Sequence, residues 1–131
     1  MVVDTIEVAA TWSRVHALYD GVVAALSKVP GVLSATAHSS HSYRSGTCLY
    51  FSFAAKPDDP ARMRETYVAC WNAAMEATLA AGGGIAHHHG IGRVRRPWLE
   101  AEIGASGVTV LRALKQALDP GGLLNRGNLI P

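Results

Sequence analysis

An α+β fold is what this sequence predicts, on three observations. Apolar residues alternate at a period of two in separate stretches near the N-terminus and around residue 50. Two further stretches repeat apolar residues every three to four positions, the spacing of a helix. Breaks rich in Pro and Gly separate these stretches in the order strand, helix, strand, strand, helix. The 131 residues (13.8 kDa) suit one domain with a real core. Hydrophobic residues at 49% against 17% charged exclude a disordered chain.

Each element has a local reason. Residues 2–10 form a strand around Val3, Ile6 and Val8. Thr11 or Ser13 offers an N-cap, and Val15, Leu18, Tyr19, Val22 and Leu26 mark a helix that runs to about residue 27. Pro30 and Gly31 turn the chain. Residues 32–43 are extended, polar and rich in Ser and His. The short Ser45-Gly46 connection leads to a strand at 47–55, with Leu49, Phe51 and Phe53 on one face and Cys48, Tyr50 and Ser52 on the other, so the two strands form an antiparallel hairpin. Asp59 as N-cap and Pro60 as first helical residue start a second helix. Its buried stripe is Met63, Tyr67, Cys70, Trp71, Ala74 and Thr78, and Gly82, Gly83 and Gly84 stop it. A fourth strand at 85–89 completes the order β-α-β-β-α-β, a ferredoxin-like antiparallel sheet with two helices on one face, over residues 1–90. Residues 91–131 add a short helix at 97–103 and a longer one at 107–118 with Val108, Leu111, Leu114 and Leu118 inward. A stop at Asp119-Pro120-Gly121-Gly122 and an extended tail to Pro131 follow.

Several function classes are excluded. A net charge of +2 with no aromatic interleaving argues against nucleic acid. The longest apolar run, 48–55, is far short of the ~18 residues of a membrane span, and with no basic segment before an apolar stretch no signal peptide is expected. Two cysteines read as a reduced pair in a cytoplasmic protein. No Gly-x-Ser-x-Gly elbow and no phosphate-cradling Gly-Lys-Ser/Thr loop occurs. A mean hydropathy of +0.13 with so few charges implies that a partner, a homo-oligomer included, covers some surface.

The residues that can carry chemistry gather in a few places. His87, His88 and His89 lie between Gly84 and Gly90, where imidazoles can move protons near neutral pH and glycines let a ligand approach the backbone. On a strand, His87 and His89 share a face and His88 takes the other. A metal held by His87, His89 and His38 or His41 is weaker, because no Asp, Glu or Cys stands at short ligand spacing, and no metal is expected. Tyr43 beside Arg44 is a candidate proton carrier. Arg93, Arg95 and Arg96 follow a glycine turn and suit a phosphate, or form a solvated basic loop.

Three stretches together resemble the C-terminal end of FAD-linked oxidases of the vanillyl-alcohol-oxidase superfamily, most closely their alkyldihydroxyacetonephosphate synthase branch. They are 83–92 with its His-His-His-Gly block, 93–99 with Arg93 and Arg95, and 114–125 with its Asp-Pro-Gly-Gly segment. The stretches 41–53 and 4–14 resemble the same branch, so the likeness spans essentially the whole chain. It implies the C-terminal, substrate-facing part of an FAD enzyme that exchanges an acyl chain for an alkyl chain on dihydroxyacetone phosphate, in ether-lipid synthesis with no net redox change. Tyr43 matches the proton-carrying tyrosine; His87, His88 and His89 match the catalytic histidine run. Asn125, Arg126 and Asn128 fall in the segment that contacts the cofactor, and Arg93 and Arg95 fall at substrate-binding positions. Partners implied are an N-terminal FAD-binding domain that these residues do not contain, a phosphorylated lipid-precursor substrate and, for the parent, a peripheral membrane contact. The segment alone is expected to be inactive. Departures are Arg44, where the synthases carry an acid, a slightly longer tail, and His88, where the related flavin 2-hydroxyacid dehydrogenases carry a Glu. Those dehydrogenases are the alternative reading, and a self-contained ferredoxin-like ligand-binding or dimerisation domain is a third.

Overall fold

The computed structural model describes residues 1–130. The chain divides into two compact units, Met1–His87 and a second that begins at His88.

The first unit is a three-stranded antiparallel sheet with two helices on one face. Strand β1 (Val2–Thr11), helix α1 (Val15–Ser27), strands β2 (Val32–Ser42) and β3 (Gly46–Ala55), and helix α2 (Met63–Ala80) follow in that order, and the sheet runs β1-β3-β2. The central strand is the one whose two faces were most clearly patterned. Ile6 pairs with Phe51 and Val8 with Leu49, and all four are buried beneath the helices. Leu18, Val22 and Leu26 of α1 and Cys70, Ala74 and Met75 of α2 complete this core. Each large side chain buried there contributes about 1.5–3 kcal/mol over exposure. Asp4 ties β1 to α2: its Oδ2 accepts from the Tyr67 hydroxyl at 2.8 Å and from the Trp71 indole at 3.1 Å.

The α+β class and the ferredoxin-like arrangement hold, with corrections in detail. The expected fourth strand is reduced to one bridge, Ala9 with Gly84. Beyond it the His87 backbone N–H donates to the Glu7 carboxylate at 3.0 Å rather than to a strand carbonyl, so no ladder can propagate. Neither Thr11 nor Ser13 caps α1; the cap position is Arg14, and the two hydroxyls bond each other at 3.1 Å. Asp59 behaves as expected, its Oδ1 accepting from Ala61 N–H at 2.9 Å ahead of a single 3-10 turn. Tyr19 and Met63, expected inside, are exposed. Strand β2 carries an irregularity between Ser39 and His41 that periodicity did not reveal.

In the second unit, helix α3 (Arg96–Leu118) contains both expected helices, joined across a break at Gly104 (φ 75, ψ 164), a conformation essentially reserved for glycine. Leu99 and Val108 are buried, but Leu114 and Leu118, expected inward, are 53% and 80% exposed. Helical spacing gives the periodicity of a face and not its depth: Leu114 and Leu118 line an open groove with Leu111 and Leu124. The tail is not extended. Asn125 and Leu129 have positive φ, and Leu129 N–H returns to the Gly92 carbonyl at 2.9 Å. The expected extension through Pro131 ends, at that residue, outside the described ones.

Candidate active site

The site is built at the end of the sheet where the β2–β3 hairpin turns. Tyr43 lies in that turn, and its N–H donates to the Gly46 carbonyl at 2.8 Å. Its own carbonyl accepts from the Trp12 indole N–H at 2.9 Å. The backbone is thus held from two sides while the phenol ring stays half exposed. Gly46 makes the hairpin fit: a Cβ there would meet the Ala10 carbonyl oxygen at 2.1 Å.

His87 reaches the same place from the other direction. Helix α2 ends with Gly82 N–H on the Leu79 carbonyl and Gly83 N–H on the Thr78 carbonyl. Gly82 adopts φ +67, which turns the chain back along β1. The bridge to Ala9 then sets Ile85 into the core and brings His87 over the open face. Its ring centroid lies 5.3 Å from that of Tyr43 and 5.7 Å from that of His41.

The irregularity in β2 explains His41. Ser39 pairs with Leu49 and His41 pairs with Cys48, so Ser40 is the extra residue. A bulge of this kind re-aims the following side chain. Here it turns His41 to the same face as His38, which stacks on Tyr50 with centroids 5.2 Å apart.

Beneath these rings lies Glu7, fully buried. Its Oε2 accepts the His87 N–H, and its Oε1 lies 3.2 Å from His87 Nδ1. The same oxygen accepts from Cys48 Sγ at 3.4 Å. Burial, with Glu7 adding to it, pushes the Cys48 thiol up to about 11, so the thiol keeps its proton and acts as a donor. One ligand atom each from His41, Cys48 and His87 lies within 4.8 Å of the others. In this arrangement the thiol is spent as a hydrogen-bond donor to the Glu7 carboxylate.

Tyr43 and His87 line one open pocket of about 450 Å³ with Ala9, Ala10, Gly46 and Gly84. None of its lining residues carries a permanent positive charge. The walls are small side chains and backbone, with a phenol and an imidazole projecting.

The remaining expected residues belong to the second unit. His88 and His89 are exposed and meet edge to face at 4.7 Å. Arg93 donates from Nε to Asn128 Oδ1 at 3.2 Å and from an Nη to the Arg126 carbonyl at 3.0 Å. Arg96 donates to the Gly127 carbonyl at 2.8 Å. Arg95 is buried and donates to the Gly90 carbonyl at 3.1 Å. The arginines and the tail, weighed separately in the sequence, form one interlocked segment. Sequence reasoning missed Glu7 entirely and gave Cys48 no part in the site. The sequence offered little signal, because Glu7 alternates with Ile6 and Val8 on a strand that also carries Asp4 and Thr5.

Comparison with known proteins gives a consistent picture. The family described as FAD linked oxidases, C-terminal domain, matches residues 1–129. An uncharacterised FAD-linked oxidoreductase of Escherichia coli K12, YgcU, is 36% identical over 134 residues, covering 97% of this chain and 28% of the relative. An alkyldihydroxyacetonephosphate synthase of Caenorhabditis elegans is 32% identical over 133 residues, covering 97% and 22%. The glycolate oxidase subunit GlcD of Bacillus subtilis is 32% identical over 72 residues, covering 55% and 14%. The chain therefore spans about a quarter of the length of the first two of these relatives. A solved alkyldihydroxyacetonephosphate synthase superposes with a TM-score of 0.53 at 23% identity over 94% of this chain and 19% of that one, a likeness of fold.

Proposed function

The chain belongs to the FAD-linked oxidase C-terminal domain family, and from that premise we propose that it forms the substrate-facing wall of an alkylglycerone-phosphate synthase-like enzyme. The observation that carries this reading is the pairing of Tyr43 and His87, rings 5.3 Å apart, on one open pocket.

The pocket's chemistry suits one part of FAD. Small residues and glycine backbone at Ala9, Ala10, Gly46 and Gly84 allow a flat ring to come close. The absence of a lining lysine or arginine leaves nothing there to hold a diphosphate. Isoalloxazine contact belongs to this wall, and phosphate anchoring belongs to the N-terminal domain of the parent. When bound, the flavin supplies the electron-accepting ring at which the acyl-for-alkyl exchange occurs.

The chain's own groups then have separate tasks. Tyr43, its backbone fixed by Trp12 and Gly46, gives and takes a proton through its phenol. His87 stands against that phenol and serves as the adjoining proton acceptor. His88 and His89 are assigned a catalytic part on the strength of the histidine run alone. Asn125, Arg126 and Asn128 are assigned to the cofactor side, in the conformation that Arg93 and Arg96 impose on the tail. Arg93 remains exposed enough to meet the substrate phosphate, while buried Arg95 fixes the Gly90 turn. An apolar groove of about 370 Å³ in the second unit, lined by Leu111, Leu114, Leu118 and Leu124, is the surface for the flavin domain.

Relatives named for glycolate oxidation keep a 2-hydroxyacid dehydrogenase as the competing reading. One assay separates them. The full-length flavoenzyme is offered acyl-dihydroxyacetone phosphate with a long-chain alcohol, or D-lactate or glycolate with an artificial electron acceptor. The proposal expects alkyl product and released fatty acid in the first arm and no dye reduction in the second. Dye reduction without alkyl product would overturn it.

A further inference from the structure

We propose that Glu7 is a positioning residue that locks His87 in its Nδ1–H tautomer and so leaves Nε2 as the proton-accepting nitrogen of the ring. The inference rests on reading Tyr43 and His87 as the proton-handling wall, and deepens it. It identifies the group that keeps His87 able to accept a proton.

The geometry is specific. Oε2 of the Glu7 carboxylate accepts the His87 backbone N–H, and Oε1 accepts from the Cys48 thiol and lies 3.2 Å from His87 Nδ1. A carboxylate offers only acceptors when ionised, so a neutral imidazole facing Oε1 with Nδ1 must place its hydrogen there. Nε2 is then the acceptor. Two bonds from one carboxylate, one to the main chain and one to the ring of the same residue, fix both where His87 is and how its ring is turned. This is the logic by which a buried acid orients a catalytic imidazole without itself changing charge.

The interior around Glu7 supports the role. The side chain is fully buried on a strand whose neighbours Ile6 and Val8 fill the core on the opposite face. Burying an acid there is costly unless its acceptors are used. Cys48 contributes a proton-bearing thiol, kept that way by burial. The bulge at Ser40 brings the His41 ring centroid to 5.7 Å from that of His87.

The test reads the tautomer directly in the 131-residue chain, with no flavin and no substrate. Two-bond ¹H–¹⁵N correlation spectra of the ¹⁵N-labelled chain are recorded at a pH where the His87 ring is neutral. Loss of one set of peaks in His87→Gln assigns it. The expected result is a protonated Nδ1 and a bare Nε2. In Glu7→Gln, the amide oxygen still accepts the His87 N–H, but the NH₂ group now faces Nδ1 and the hydrogen moves to Nε2. A protonated Nε2 in the wild-type chain overturns the proposal with no variant required. An unchanged tautomer in a folded Glu7→Gln chain also overturns it. In the full-length enzyme, Glu7→Gln is expected to lower kcat about 10- to 100-fold with KM unchanged, and Glu7→Asp to recover part of the loss. Should the tautomer respond while the parent makes no alkyl product, the positioning stands and the reaction assigned above falls.

Discussion

Tyr43 is bound to the protein almost entirely through its main chain. The hydrogen bonds from Trp12 and to Gly46 involve its carbonyl and N–H, while the ring is 50% exposed. Removing the phenol oxygen should therefore leave the fold nearly untouched. Tyr43→Phe is expected to change unfolding free energy by less than about 0.5 kcal/mol in urea titrations followed by far-UV circular dichroism. A larger loss would mean that the hydroxyl has a structural partner and that its role is packing. Tyr43 and the run His87, His88 and His89 stood out in the sequence, because a run of imidazoles and a tyrosine at a hairpin corner are local features; that His87 is the one beside Tyr43 was not legible there. Glu7 was not readable as part of the site. Its strand pattern resembles an ordinary core strand, and only the three-dimensional return of residues 84–87 gives its carboxylate a purpose.

At the level of elements, the hairpin and the end of α3 each depend on one residue. Gly46 pairs with Thr11 in the β1–β3 ladder, and a methyl group there would collide with backbone rather than with a yielding side chain. Gly46→Ala is expected to cost about 3 kcal/mol, the upper part of the overpacking range, and to displace Tyr43 with the turn. Equal urea midpoints for the two chains would contradict this. Asp119 ends α3. The Lys115 ammonium beside it holds its carboxyl down at about 2, aided by the N–H groups of Leu124 and Leu123. A depressed carboxyl stabilises the folded state above its ordinary value and loses that contribution as the pH falls from about 4 toward 2. Asp119→Asn should flatten the pH dependence of stability in that window, as measured by hydrogen exchange of the Leu123 and Leu124 amides. The strands, both hairpin faces and both early helices could be read from periodicity. The fourth strand could not, because a run such as 85–89 scores as extended whether its N–H groups meet a neighbouring strand or a carboxylate.

For the whole molecule, the two halves differ in how well they cover themselves. The first unit buries Ile6, Leu18, Phe51 and Phe53 completely, whereas the second leaves Leu118, Leu123 and Leu124 at 80%, 70% and 63% exposure. The helical pattern at 107–118 was therefore found correctly, and of its expected inward face Val108 is buried while Leu114 and Leu118 stay exposed. No helix among the described residues is long and apolar enough to cross a membrane. A wall without a diphosphate anchor should not retain FAD alone. Titrating the 131-residue chain into FAD at concentrations on the order of 1 μM should leave the flavin fluorescence unquenched. Saturable one-to-one quenching would place the anchor within this chain. The most direct test of the account is turnover by the full-length flavoenzyme carrying Tyr43→Phe, with FAD content and flavin absorption checked against the wild type. The account predicts a fall in kcat for alkyl exchange of about 100-fold or more with the cofactor fully retained. Wild-type turnover in that variant would contradict it.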